Sequence, residues 1–596
     1  MIPGLPPPDE LRRILEDSFG RSPFPAAFAT TATRERIGRT ILASGLAARL
    51  RHSLADARPV IAYPFSARQE FRRTGGRHLY ESLARRRYEQ IAAATLLCLA
   101  GEDHASLLED LIWAECESSS WVLPAHECRN EPIDLGAAMN ARRLATTDWW
   151  VGERLDPSLR QRLRQELRRR IFDPFFDPAY SYWWKRTTNN WNAVCHADTG
   201  IAAMLLEDRP GHRAALLAES VQNLEQFLAG FTADGGCSEG PSYWRYGFGW
   251  YVDFADALHT YTAGRLNLMA GPRLYDICRY PLACNIAPGQ EMLFADATSG
   301  HLPLTIALRI NKFQHLPELF SLCRLNPDHT AEAHTLDELA LYDGHPLPAA
   351  PPPRQDAVLP DLGVAKLRAG STTLAAKAGH NDEHHNHNDV GTFLLHRGRT
   401  FFLADLGAPV YTAKTFSPQR YDSLFCNSFG HSVPVLGGRP QQTGPQHTGT
   451  LTVENAGAAG QDKAAVLELA AAYGLPELRR LTRRLELAAD GAELRLTDTF
   501  IFTAAPLPVE ETFLTFLPAA VTPDGNTVIL DGGNDGSLHL TAASAGTWIV
   551  TDLTEACKAE SRDGTPVRRI TFQPAAVTPP AVELTLAFRF RFAQSI

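Results

Sequence analysis

The chain is 596 residues long, 44% hydrophobic and 21% charged, the composition of a globular protein large enough for two or three domains with full cores. A net charge of −9 argues against a nucleic-acid-binding surface, and no apolar run reaches membrane-spanning length, so neither a nucleic-acid nor a membrane partner is expected. Ten scattered cysteines without a CxxC pair exclude a disulfide framework and a thiolate metal site, and read as reduced, buried small side chains. The start, Met1-Ile2-Pro3-Gly4, lacks the basic and apolar regions of a signal peptide. The expected location is cytoplasmic, or periplasmic or secreted if an export signal has been removed.

Residues 9 to about 345 read as helix after helix. The stretch 80–100 places Leu83, Tyr88, Ile91, Ala94 and Leu97 near helical spacing and stops at Gly101. Residues 104–117, 133–147, 157–171, 197–207, 213–230 and 242–264 repeat the theme. The arginine-rich run from Arg160 to Arg170 reads as a solvated face. Many helices of moderate length with short links predict an incomplete α/α toroid over 1–345.

Two stretches in this half are out of character. Tyr182-Trp183-Trp184-Lys185-Arg186-Thr187-Thr188-Asn189-Asn190-Trp191-Asn192 combines successive asparagines, poor helix formers, with three tryptophans. Rings that stack on sugar faces beside amides and cations suit carbohydrate; the plainer reading makes Asn189 or Asn190 a helix cap. The second runs from Asp234-Gly235-Gly236 through Glu239-Gly240-Pro241 to Tyr243-Trp244-Arg245-Tyr246. Pro241 opens a helix whose core stripe is Trp244, Phe248, Val252 and Leu258. Tyr246 falls roughly 200° from Phe248 at about 100° per residue and points away from that stripe.

Pro346 to Pro353 is a proline-rich linker, so the expected domains are 1–345, a linker at 346–356, and 357–596. Beyond it the pattern becomes strand-like: 363–367, 373–377, 392–395 and 400–405, a hairpin over 484–497 turning at Asp490-Gly491, and an alternating last strand over 582–592. This predicts an antiparallel β-sandwich. At its start lies His380-Asn381-Asp382-Glu383-His384-His385-Asn386-His387-Asn388-Asp389, with four of the chain's twenty histidines in eight residues. Imidazoles crowd when they titrate, bind metal or polarise a substrate. Two histidines and an Asp from neighbouring strands would suit a Zn²⁺-like ion, and Asp405 and His431 follow nearby.

Together these stretches resemble the heparinase II/III-like polysaccharide lyases. The resemblance rests on Asn189-Asn190-Trp191-Asn192, on Glu239-Gly240-Pro241 with Tyr243 and Tyr246, on His385-Asn386-His387 with Asp405 and His431, and on Trp121-Val122-Leu123-Pro124-Ala125-His126. It implies an α/α toroid, a β-sandwich and a cleft between them, in an enzyme cleaving uronate-containing polysaccharides by β-elimination. By position, Tyr246 looks like the catalytic tyrosine with Tyr243 as alternate, and Asn190 (or Asn189) like the residue that neutralises the uronate carboxylate. His385 resembles the catalytic histidine, and His387, Asp405 and His431 the ligands of a mainly structural divalent ion, Zn first and Mn or Ca as alternatives. Trp183, Trp184, Arg186, Trp191, Glu239, Arg245 and Arg420 are candidates for holding substrate. Some relatives carry a histidine where Trp191 follows Asn190; His196 is not assumed to replace it, which favours tyrosine as both base and acid.

The expected partner is an acidic polysaccharide, a glycosaminoglycan first and alginate second; the oligomeric state stays open. Two other classes remain: a toroid hydrolase using Glu239 and Asp234 as its carboxylate pair, and a non-catalytic carbohydrate binder.

Overall fold

The computed structural model describes residues 2–348, 355–504, 506–561, 563–575 and 582–593. Residues 349–354 of the expected linker lie outside them. The chain forms two compact units. The first comprises Met1–Gly230, Arg245–Tyr275 and Leu302–Ala350; the second comprises Phe231–Trp244, Asp276–His301 and Pro351–Ile596. A single cut at 346–356 therefore understates the wiring. Two segments of the helical half, 231–244 and 276–301, belong with the β strands.

The first unit is an incomplete α/α toroid. Its expected helices appear as His78–Leu99, Ala105–Cys116, Leu135–Val151, Pro157–Leu167, Pro210–Ala229 and Gly249–Tyr261. At the centre, Asn190–Leu206 packs against the 135–151, 210–229 and 249–261 helices and is buried nearly all round. A helix apolar on every side belongs in a core, and Gly200 lets the Phe254 ring approach to within contact. Charges inside the ring are paired: Arg142 bridges Asp198 at 3.2 Å and also meets Asp253, which Arg309 reaches at 2.7 Å. The arginine-rich run is spent on neighbours, Arg160 and Arg164 on Asp148, Arg168 on Asp208, Arg169 and Arg170 on Glu166. Arg170 is itself buried, so that face is less solvated than its composition implies.

The second unit is an antiparallel β-sandwich. A nine-stranded sheet centres on Glu493–Phe502, which pairs with Leu478–Leu487 and with Glu583–Ala593. A five-stranded sheet runs Ala357–Leu359, Val364–Ala369, Thr372–Lys377, Phe393–Arg397, Thr400–Leu403, and a four-stranded sheet carries Val509–Thr515. Alternation turns Leu494, Leu496, Phe588 and Phe590 inward to meet Leu374, Phe393 and Phe513 in one core. One charge is sealed in: fully buried Arg483 binds Asp498 at 2.6 Å and Glu511 at 2.9 Å and donates to the carbonyls of Gly391 and Ser432. That arginine fastens the sheet to the segments on either side of the histidine-rich stretch and His431.

None of the described helices is long and apolar enough to cross a membrane. The ten cysteines are free thiols; nine are buried and Cys128 is exposed.

Candidate active site

Within the second unit, Glu239-Gly240-Pro241 makes a turn that only glycine fits. Gly240 has φ +86°, and a Cβ there would lie 2.7 Å from the Cβ of Ala297. This close approach brings the 294–298 segment alongside, where Thr298 N–H donates to Ser242 Oγ at 3.1 Å. Ala295 in that segment has φ +58°, and across the site His385 has φ +57°. Left-handed backbone at two non-glycine residues is a cost sustained by the surrounding contacts, and it clusters at functional sites.

The histidine-rich stretch is pinned by its own polar residues. Asp389 takes the Lys377 ammonium at 2.6 Å, and Asn388 N–H donates to the Cys426 carbonyl at 2.9 Å. Asn386 Nδ2 donates to Asn388 Oδ1 and to the Tyr421 hydroxyl. Held this way, the stretch presents both His385 and His387 to the Asp296 carboxylate.

His385 lies on the ring of Tyr243, with centroids 4.1 Å apart and planes at 24°. The Tyr243 hydroxyl is 2.5 Å from that of Tyr411, which donates to Asp296 Oδ2 at 2.8 Å. His385 Nδ1 meets the same carboxylate oxygen at 2.9 Å, and its Nε2 faces Glu239 at 3.4 Å. Asp296 also takes His387 Nε2 at 2.8 Å and the Arg420 guanidinium at 2.9 Å. Burial alone would raise the Asp296 pKa, but its bonds to His385 and His387 and the charges of His387 and Arg420 outweigh that and hold it well below the usual carboxylate range. Tyr411 moves the other way, pushed well up by burial, by Asp296 and by Tyr243.

Asp296 and Tyr411 were missed from sequence. Asp296 sits alone among small residues in Ala295-Asp296-Ala297, and Tyr411 in Pro409-Val410-Tyr411-Thr412; neither carries a motif. Arg420 was expected on substrate. Its guanidinium is buried against Asp296 and the carbonyls of Asn386 and Thr415.

His387, Asp405 and His431 each present a ligand atom within 4.8 Å of the others, all buried. His431 Nδ1 lies 2.8 Å from Asp405 Oδ2, while its Nε2–H donates to the Phe425 carbonyl. His387 has its Nε2 on Asp296, and its Nδ1 is buried without a partner among the described residues. One free ring nitrogen, an oriented imidazole and a carboxylate, each with its other polar atom held from behind, fit a divalent cation. A second grouping, Asp296, His387 and Cys426, fits less well, because burial pushes the Cys426 thiol up to about 12 and Asp296 is already engaged.

The other candidates lie in the toroid. Asn189 is the helix cap, its Oδ1 accepting from Trp191 N–H at 3.1 Å, and Asn190 is the first helical residue, 3% exposed. Tyr246 lies edge-on to Trp250 in a π-helical turn over Trp244–Phe248, and burial raises its pKa. Its neighbour Arg245 lines a cavity of about 760 Å³ with Trp250 and Arg309. Trp183 and Trp191 pack together at 5.0 Å and are partly exposed. Trp184 is fully buried, its Nε1–H donating to the Ile133 carbonyl, and is a core side chain rather than a sugar platform. His196 is buried against Trp184 and Phe175, so it does not stand in for the histidine beside Asn190. Asp234, the second carboxylate a hydrolase would need, is consumed by the Thr232 hydroxyl and by the backbone N–H groups of Gly236, Asp361 and Leu362.

Residues 351–580 match the family described as heparinase II/III-like, C-terminal. Among solved structures, heparinase III matches with a TM-score of 0.62 at 14% identity over 87% of this chain and 78% of that one. A heparan sulfate lyase mutant from Pedobacter heparinus gives 0.58 at 13% identity, over 98% and 94%. A Streptomyces coelicolor A3 chondroitin AC lyase, in complex with chondroitin sulphate, gives 0.54 at 12% identity, over 99% and 83%. At these identities the likeness is one of fold, and it agrees with the toroid and sandwich order described above. No curated protein matches the sequence.

Proposed function

We propose that this heparinase II/III-like protein is a polysaccharide lyase that cleaves a uronic-acid-containing chain, of glycosaminoglycan type, by β-elimination. The observation that carries the reading is the Tyr243 hydroxyl held 2.5 Å from Tyr411 with the Tyr243 ring stacked on His385. A phenol with a reference pKa of about 10 is a poor base unless its anion is stabilised. Tyr411 supplies that: its single proton serves Asp296 at rest and turns to the Tyr243 oxygen when that oxygen is ionised. Asp296 keeps its ionised form meanwhile on His385, His387 and Arg420. The Tyr243 ring lies against His385, whose two nitrogens face the Asp296 and Glu239 carboxylates.

In the reaction, Tyr243 phenolate removes the uronate C5 proton. The C5–H electron pair becomes the C4–C5 double bond as the C4–O bond breaks, and Tyr243 returns the proton to the departing oxygen. A hydrogen-bond donor to the uronate carboxylate stabilises charge building up in the enolate-like intermediate, and Asn190 is the candidate the family resemblance supplies for that role. This places the base and acid role on Tyr243 rather than Tyr246. His387, Asp405 and His431 would hold a divalent ion, Zn²⁺ by its donor set, that rigidifies the stretch carrying His385.

The test is incubation with hyaluronan, chondroitin sulfate, heparan sulfate and alginate. At least one should yield the ultraviolet absorbance of an unsaturated uronate. New reducing ends without that absorbance would make the protein a hydrolase.

A further inference from the structure

Beside the helix that starts at Asn190, the toroid carries a groove of about 800 Å³ lined by the short helix Pro8–Asp17, the Tyr180–Arg186 segment and the Pro210–Ala229 helix. Polar groups buried in protein interiors are ordinarily paired. Here one buried group is not, and amides and exposed cations lie around it. The Trp183 indole nitrogen is buried without a partner among the described residues, its ring being packed against Arg129 and Trp191. The guanidinium groups of Arg12 and Arg186, both exposed, have no carboxylate or hydrogen-bond partner among the described residues. Neither do the side-chain amides of Gln222 and Asn223.

The other lining charges nearly cancel. Lys185 and Glu219 neutralise each other at 2.8 Å, leaving two free arginines against Asp9 in a protein of net charge −9. The groove is also tied to the Asn190 helix: Asn192 Nδ2 donates to the carbonyls of Lys185 and Asn223, each at 3.1 Å.

We infer that this groove is a second binding site, for an acidic sugar unit of a uronate-containing polysaccharide. The identification rests on the lyase reading for its ligand class and on the groove itself for its chemistry. Two guanidiniums match carboxylate or sulfate, two amides match hydroxyls, and the indole N–H takes a ring or hydroxyl oxygen. The volume lies in the range of sites that enclose a small ligand. A neutral sugar would leave both arginines without counter-charge.

The experiment uses the full chain carrying Tyr243→Phe, so that binding is read without turnover. Octasaccharides of hyaluronan, chondroitin sulfate, heparan sulfate and alginate are titrated by calorimetry, with a neutral chito-octasaccharide as control. At least one acidic octasaccharide should bind better than the neutral one, and Arg12→Ala and Arg186→Ala should each weaken it by about tenfold, the loss of one charge-assisted contact. Trp183→Phe, which keeps a ring and removes the N–H, should weaken it less. Both arginines are exposed, and an unchanged thermal midpoint confirms that the variants fold. The inference falls if no acidic octasaccharide binds, or if one binds with the same affinity to both arginine variants. The two readings separate cleanly. Arginine-dependent binding without unsaturated product from any polymer leaves the groove and removes the lyase; product formation with arginine-independent affinity does the reverse.

Discussion

His385 and Tyr243 are stacked face to face, 4.1 Å between ring centroids, and Tyr411 ties the pair together by reaching the Tyr243 hydroxyl at 2.5 Å and His385 Nδ1 at 3.2 Å. His385 and Tyr411 both bond the Asp296 carboxylate, and Tyr243 joins them through the Tyr411 hydroxyl. That convergence makes Tyr411 a positioning residue whose effect is separable from simple packing. Tyr411→Phe keeps the ring and removes the donor to the Tyr243 oxygen. It is expected to lower kcat by about a hundredfold and to move the acidic limb of the kcat profile to higher pH, since the phenolate has lost its stabilising hydrogen bond. A variant with the wild-type pH profile would remove Tyr411 from the proton network.

The ligand set gives a metal prediction that does not depend on turnover. Protein as purified should contain about one divalent ion per chain, and prolonged chelation should lower the thermal midpoint, because an ion that binds only the folded state stabilises it by mass action. His431→Ala should lose the ion, whereas Cys426→Ser should retain it. Equal metal content in wild type and His431→Ala would move the site or abolish it.

Glu383, in the histidine-rich stretch, supplies a pH prediction. Burial pushes its pKa up to about 7, against the pull of Lys377 and with Asp389 adding to the rise. Between the ordinary carboxylate value of about 4.3 and about 7 the folded state holds a proton that the unfolded chain releases. This contribution to stability is therefore full below that window and is lost as pH rises through it. Glu383→Gln should flatten this part of the stability profile and be the more stable protein at pH above the window, as read from urea midpoints across the range. Parallel profiles for the two proteins would show that Glu383 does not titrate there.

Arg483 tests what holds the sandwich to the site. Removing it leaves Asp498 and Glu511 sealed together without their cation and frees the carbonyls of Gly391 and Ser432. Arg483→Met is expected to cost about 3–5 kcal/mol, measured as a shift in denaturant midpoint. A loss below about 1 kcal/mol would mean that water or a rearranged strand satisfies both carboxylates.

Much of this architecture was legible because it is written in periodicity. The helices from 78 to 261 and the hairpin about Asp490-Gly491 follow apolar spacing and turn residues that act locally. The insertion of 231–244 and 276–301 into the β unit was not legible, since it depends on packing between distant segments. At the site, His387, Asp405 and His431 were found because ligand residues are chemically conspicuous. The choice between Asn189 and Asn190 turned on a cap geometry that sequence left open. Tyr246 stood ahead of Tyr243 by its position in the family resemblance; its helical phase was read at about 100° per residue, an angle that the π-helical turn at Trp244–Phe248 changes. Asp296 and Tyr411 had no signal because a lone acid or phenol acquires meaning only from what folds against it. Trp184 and Arg420 carried the composition expected of sugar contacts, and both are buried.

The most direct measurement is the rate of unsaturated-uronate formation by Tyr243→Phe beside wild type and Tyr246→Phe, on whichever polymer wild type cleaves. Tyr243→Phe should bind that polymer and lose about 10³-fold or more in kcat, within the range for removing a positioned acid–base group, while Tyr246→Phe turns over within a few-fold of wild type. Full turnover by Tyr243→Phe, with the loss falling on Tyr246→Phe instead, would contradict the account.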